Sequence, residues 1–331
     1  MALKAGSIRF NTDSSQMEIW DGNQWTGILG DSPELHTGGA RGFFAAGASP
    51  SSSDRIDFVN IATTGNATDF GNMSNAGLAP GSCADRTRGL ISGLYTPSWL
   101  DNIDFITMAS TGDATDFGNL TVGRAYCASV NNSTRGLTGG GLTPSNSDVI
   151  DYVTIQETGN AVDFGNLTGT KQLDAACNSP TRSLFLGGWA GPSSGATNIV
   201  DFVTTSTLGN AADFGDLHNR SFGNGGCSNA TRGYSAGGNT SPPTLLLDTV
   251  GVVTIPTLGD FVEFGDLQLV MYYTAGCSSR TRGLFGGGSS PSVHTNIEYI
   301  SLTTSGKGSD FGDLSQARNQ LTGFSNANGG L

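Results

Sequence analysis

The sequence predicts an all-β protein in which six four-stranded units close into a propeller, preceded by a small β-hairpin module. Three observations lead there. Two phrases recur in step along most of the chain. Each recurrence holds four short strand-like pieces. The composition is that of short strands and tight turns: Gly occupies 50 of 331 residues without a G-X-Y period, and 36% of residues are hydrophobic, enough for a sizeable core.

The first phrase is Thr-Arg-Gly-Leu, or a close variant, with arginines at Arg88, Arg135, Arg182, Arg232 and Arg282, and Arg41 opening the series. The second is Asp-Phe-Gly-(Asn/Asp)-Leu, with acids at Asp69, Asp116, Asp163, Asp213, Glu263 and Asp310. Both step by 47 or 50 residues. A repeat of this period is one supersecondary unit that buries its apolar face only against its neighbours.

Within a unit, a small-residue piece such as Ala175-Ala176-Cys177 precedes Arg182-Ser183-Leu184-Phe185 and the diglycine Gly187-Gly188. A third piece, Val149-Ile150-Asp151-Tyr152-Val153 in another unit, is apolar on both faces, as expected of a strand covered on both sides. Ala161-Val162-Asp163-Phe164-Gly165 supplies the fourth. The segment Gly323-Phe324-Ser325-Asn326-Ala327 matches Gly226-Cys227-Ser228-Asn229-Ala230, a first-strand sequence with no second strand after it. It is expected to complete the unit that starts near Arg41, and closure of that kind removes exposed sheet edges.

A diglycine after an apolar strand, followed by an apolar-acid-aromatic strand, resembles the kelch repeat over about residues 36–331. The fourth strand departs from it: kelch repeats usually carry Trp where this chain has Phe70, Phe117, Phe164, Phe214, Phe264 and Phe311. The resemblance implies a six-bladed kelch-like β-propeller over residues 34–331, with residues 1–33 outside the repeat.

Several features imitate chemistry. Cys83, Cys177, Cys227 and Cys277 share a repeat position with Val130 and Phe324, which makes it an apolar packing slot. With no C-x-x-C and no paired His, neither a metal nor another cofactor is expected. The Asp-Phe-Gly phrase lacks every other part of the kinase signature. No catalytic constellation is apparent, so a non-enzymatic protein is expected. The acids Asp57, Asp104, Asp151, Asp201 and Glu298 lie inside the apolar third strands and need buried partners. Pairing with Arg88, Arg135, Arg182, Arg232 and Arg282 is expected, since guanidinium matches carboxylate. Gly251 breaks the acid series, and Glu263 is the expected substitute there.

The units differ chiefly between strands two and three and between strand four and the next unit. In an up-and-down sheet these links leave from the same end, whereas the constant turns, such as Thr64-Gly65-Asn66-Ala67, leave from the other. Binding residues concentrate on loops held by a rigid scaffold. The candidates are Tyr95, Trp99, Tyr126, Trp189, Phe222, Tyr272, Tyr273 and His294.

A net charge of −12 with no basic stripe argues against nucleic acid, and no apolar run is long enough for membrane insertion. No apolar signal-peptide core follows Met1, so synthesis in a cytoplasm is expected. At the N-terminus, Ser7-Ile8-Arg9-Phe10-Asn11 and Met17-Glu18-Ile19-Trp20 read as strands, and Asp21-Gly22 as a hairpin signal before Trp25-Thr26-Gly27-Ile28. This stretch resembles a short module of bacteriophage tail-fibre and other virion proteins. The phrase Asp-(Phe/Tyr)-Val-Thr-Ile followed by Thr-Gly-Asn-Ala-Thr-Asp-Phe-Gly-Asn-Leu resembles propeller proteins of marine and cyanobacterial phages. Together these resemblances imply a virion structural protein, made in the bacterial host cytoplasm. A tail fibre or receptor-binding component is expected, with a capsid or tail decoration protein as the alternative. Implied partners are other virion proteins, further copies of this chain in a homo-oligomer, and a host-surface polysaccharide or protein.

Overall fold

The computed structural model describes residues 4–11, 16–27, 40–173 and 175–327. These residues are all-β, without a helix, and most lie in four-stranded antiparallel sheets, an arrangement consistent with a β-propeller-like fold. The chain divides into two compact units, Met1–His36 and Thr37–Leu331. The boundary between them, Ile28 and the Thr12-to-Gln16 turn up to residue 15 lie outside the described residues.

The first unit carries one three-stranded sheet, Ile8–Asn11, Gln16–Trp20 and Trp25–Gly27. Asp21 sets its second turn by accepting from the Asn23 and Gln24 amides at 2.7 and 2.8 Å. Trp20 and Trp25 pair across the sheet with rings 5.6 Å apart, and the Arg9 guanidinium lies 4.3 Å from the Trp25 ring.

In the second unit the described residues form six four-stranded sheets, numbered here in chain order. Sheet 1 is Thr322–Ser325, Arg41–Ala45, Ser53–Asn60 and Thr68–Gly77, so its first strand comes from the far end of the chain. Sheet 2 is Gly81–Ala84, Arg88–Tyr95, Trp99–Thr107 and Thr115–Asn119. Sheet 3 is Ala128–Asn131, Arg135–Gly139, Val149–Thr154 and Val162–Asn166. Sheet 4 is Ala175–Asn178, Arg182–Trp189, Ala196–Thr204 and Ala212–Asp216. Sheet 5 is Gly225–Ser228, Arg232–Ala236, Thr249–Thr254 and Val262–Asp266, and its second-to-third connection forms a small ladder, Asn239–Thr240 with Leu245–Leu246. Sheet 6 is Ala275–Ser278, Arg282–Gly286, Asn296–Ser301 and Ser309–Asp313.

The first strands neighbour one another from sheet 1 through sheet 6 and back to sheet 1. Small residues make this approach possible. A Cβ on Gly226 would stand 2.3 Å from the Ala176 carbonyl oxygen, and one on Gly276 at 2.3 Å from that of Gly226.

The Asp-Phe-Gly phrase is a β-bulge. In sheet 2, Asp104 faces Asp116 and Ile103 faces Gly118, so Phe117 is the extra residue, turned inward and 3% exposed. The following glycine approaches the constant turn of the next sheet. A Cβ on Gly71 would meet the Gly112 carbonyl oxygen at 2.3 Å, and the Gly112 amide donates to the Phe70 carbonyl at 2.9 Å. The repeated cysteine slot has a similar cause: Cys83, Cys177, Cys227 and Cys277 fill the space left by Gly136, Gly233, Gly283 and Gly42 of the neighbouring sheet. All five cysteines are buried, and burial pushes the Cys83 thiol up to about 12 and the other four in the same direction.

Candidate functional site

The links from each fourth strand to the next first strand bridge to the start of the adjacent second-to-third loop, as in Gln172 with Trp189, Phe222 with Asn239 and Tyr272 with Ser289. The two variable sets of loops therefore share one end of the second unit. At the centre of that end one residue per repeat enters a chain of backbone hydrogen bonds. The Ala79 amide donates to the Gln320 carbonyl at 2.7 Å, Tyr126 to Ala79 at 2.7 Å and Leu173 to Tyr126 at 2.8 Å. Tyr273 donates to Gly223 at 2.6 Å and Gln320 to Tyr273 at 3.2 Å. Ala79, Tyr126, Gly223, Tyr273 and Gln320 all have φ between 52° and 69°. Only glycine takes this left-handed conformation without steric cost; for Tyr126 and Tyr273 the cost is on the order of 1 kcal/mol each.

That backbone places aromatic rings side by side. Tyr126 and Tyr273 lie 6.3 Å apart, Tyr273 and Tyr272 4.8 Å, Tyr273 and Phe222 6.0 Å, and Phe222 and Trp189 5.1 Å. All five are half-buried. Gln320 joins the cluster, its Nε2 donating to the Tyr126 hydroxyl at 3.0 Å; its glutamine type gave no signal in the sequence, although it shares the repeat position of Tyr126 and Tyr273. The other loop candidates lie apart. Tyr95 and Trp99 pair with each other at 5.6 Å across the sheet 2 hairpin, and His294 is held by its own loop, Nε2 at 3.0 Å from the Ser290 carbonyl oxygen.

The expected arginine–acid pairs do not form. Arg88 donates to the Ile155 carbonyl at 3.0 Å, Arg135 to Ser206 at 2.9 Å, Arg182 to Ile255 at 3.1 Å and Arg282 to Ile61 at 2.9 Å, each reaching the next sheet. Each of these guanidiniums also lies over the aromatic ring of its own third strand, as Arg88 does over Phe105 at 4.4 Å. Arg232 instead meets the Tyr234 side chain and borders a surface cleft.

The buried acids take their partners from the end of the preceding sheet's fourth strand or from the link that follows it. Asp57 accepts from Arg318 at 2.7 Å and the Ser315 hydroxyl at 2.6 Å. Asp151 forms an ion pair with Arg124 at 3.0 Å and accepts from the Thr121 hydroxyl at 2.7 Å. Asp201 meets Lys171 at 2.9 Å and the Thr168 hydroxyl. Asp104 binds Ser74, by hydroxyl at 2.7 Å and amide at 2.9 Å, with no cation among the described residues. Glu298 accepts from the Gln268 and Leu269 amides at 2.6 and 3.1 Å. Burial pulls the Arg318 guanidinium below its ordinary value, and Asp57 opposes that effect. Glu263 does not substitute at Gly251: it is exposed, 3.8 Å from His218. Phe261, 3% exposed, packs beside Gly251 instead.

No protein-family model matches the chain, and no curated protein does. The geometry therefore carries the functional reading. Bulged strands, inter-sheet arginines and buried acid clusters bind the sheets together, and the aromatic cluster lies half-buried at the loop end. It offers flat apolar surface with hydroxyl and amide groups at its edges, suited to a partner that is part apolar and part hydrogen-bonding.

Proposed function

We propose that this chain is a non-enzymatic virion structural protein of a tailed bacteriophage, a tail-fibre or receptor-binding component. Its second unit is read as a six-bladed kelch-like propeller, and its N-terminal sheet as the module that attaches it to other virion proteins or to further copies of itself. The observation that carries the reading is the gathering of Tyr126, Trp189, Phe222, Tyr272 and Tyr273 at the end where the variable loops emerge. Left-handed backbone at two of these tyrosines supports it, since such strain is often kept where function needs it. The resemblance of both repeat and N-terminal phrases to phage proteins supplies the biological setting.

The test is binding of the purified chain to intact cells, and to their extracted surface polysaccharide, across a panel of marine cyanobacterial strains. The wild type is expected to bind at least one strain. Trp189→Ala, Tyr273→Gly and their combination are expected to lose that binding while keeping the thermal midpoint within a few degrees. Failure of the wild type to bind any host, together with labelling of the shell rather than a fibre tip in imaged virions, would replace this reading with that of a decoration protein.

A further inference from the structure

Sheet 5 breaks the repeat at the constant-turn end, away from the aromatic cluster. In the other five sheets a third-strand ring (Phe58, Phe105, Tyr152, Phe202 or Tyr299) lies beneath the repeat arginine, 4.4 to 5.1 Å from its guanidinium carbon. The same ring meets the Asp-Phe-Gly phenylalanine edge-on, with centroids 5.8 to 6.2 Å apart. Sheet 5 keeps the arginine, Arg232, and the phenylalanine, Phe264, but carries Val252 at the position of the third-strand ring. The ring has moved across the ladder: Tyr234 is paired with Val252, where sheets 2, 3, 4 and 6 carry leucine. Tyr234 is fully buried, contacts Phe264 at 5.2 Å and donates its hydroxyl to the Leu302 carbonyl. The Tyr234 hydroxyl also meets Arg232, so in sheet 5 the guanidinium is held at a hydroxyl rather than over a third-strand ring. A cleft of about 570 Å³ lies here, bounded by Arg232, Val252, Val262, Phe264 and the turn residues of sheets 5 and 6. Phe264 is half-buried, whereas its five counterparts are 2 to 3% exposed.

We propose that this cleft is a docking site for an aromatic side chain of a partner polypeptide, whose ring takes the place that the other five sheets fill from within. The five intact sheets show what the position accepts: a flat ring under a guanidinium, edge-on to phenylalanine. The cleft is larger than one ring, and the exposed Thr254, Thr257, Thr303 and Ser305 around it suit the backbone on either side of the inserted residue. The site is independent of the loop-end reading and stands or falls separately.

Saturation-transfer NMR on the full-length protein tests it, with N-acetyl-phenylalaninamide, N-acetyl-leucinamide and phenol as probes. The wild type is expected to transfer saturation to the phenylalanine amide and not to the leucine amide. The double variant Tyr234→Leu/Val252→Phe, which restores the pair found in sheets 2 and 4, is expected to fold and to lose ~10-fold or more of that binding. Arg232→Ala is expected to weaken binding, and Arg232→Lys to retain part of it. Unchanged binding in the double variant, or no preference for phenylalanine over leucine in the wild type, overturns the proposal. Binding of phenol without the phenylalanine amide overturns its polypeptide part and leaves a small-aromatic site.

Discussion

Glu298 stands where four other sheets carry aspartate, and the residue ten positions later changes with it. Asp57, Asp104, Asp151 and Asp201 accompany Ala67, Ala114, Ala161 and Ala211; the longer Glu298 accompanies Gly308, and Gly251 accompanies Phe261. Volume is exchanged between the two positions because they pack together: a Cβ on Gly308 would stand 3.1 Å from the Glu298 carboxylate. Gly308→Ala is expected to cost about 1–2 kcal/mol by overpacking. Glu298→Asp, which withdraws the acceptor from the Gln268 and Leu269 amides, is expected to cost about 1–3 kcal/mol. The double variant, which recreates the Asp–Ala pair, is expected to fall short of the sum by about 1 kcal/mol, read by denaturant unfolding; strict additivity would disprove the exchange. Glu298 also sets a pH dependence. Burial raises its carboxyl above the ordinary value of 4.5, so the folded state holds its proton to higher pH than the unfolded chain does. The stability this contributes is complete below 4.5 and is lost as pH rises through the raised folded value. The wild type is therefore expected to lose stability relative to Glu298→Gln as pH increases across that window, and a difference constant with pH would count against it.

At the scale of the strand, the arginines act as inter-sheet fasteners. Their period was legible in the sequence, but their partners were not. Charge complementarity suggested the third-strand acids, yet strand register separates the two: Arg88 faces Thr107, while Asp104 faces Ile91. Three residues of strand are about 10 Å, beyond the reach of a direct ion pair. The guanidinium at the strand's end finds carbonyls of the next sheet, and the mid-strand acid finds the end of the preceding sheet's fourth strand or the link that follows it. The buried cations Arg124, Lys171 and Arg318 were hidden for another reason: only three repeats carry one, so they leave no period to read. The aromatic cluster was legible as a set of variable-loop residues but not as a cluster, because the backbone bonds that gather it join residues up to 241 positions apart, as Gln320 to Ala79. Arg88→Ala should lose both a ring contact and a carbonyl bond, at about 1–2 kcal/mol. Arg232→Ala, which loses a polar contact with Tyr234 but no stacked third-strand ring, is expected to cost less. Equal losses in thermal or denaturant unfolding would show that the stacked ring contributes nothing.

For the second unit as a whole, the decisive contact is the one that joins its two ends. Thr322–Ser325 pairs with Arg41–Ala45 and lies between the first strands of sheets 6 and 2. Phe324 stacks on Phe43 at 5.1 Å and fills the space above Gly89, where a Cβ would come within 2.2 Å of its ring. Ser325 donates to the Ser278 carbonyl at 2.6 Å, and the Arg41 amide donates to the Asn326 side chain at 2.9 Å. Every sheet in this unit leans on two neighbours, so removing one first strand opens two interfaces and exposes a strand edge. Phe324→Ala alone is expected to cost about 3–5 kcal/mol, as for a large buried ring. Deleting residues 321–331 removes all of these contacts together, which should abolish the single cooperative transition rather than merely lower its midpoint. A synthetic peptide spanning residues 320–331, added in trans, should then raise the midpoint of the truncated chain in a concentration-dependent way, because it binds only the folded form. The same peptide with Phe324→Ala should do so at much higher concentration. A truncated chain that melts like the full-length protein would mean that the ends are held together by contacts elsewhere, and that the terminal strand is ornament rather than closure.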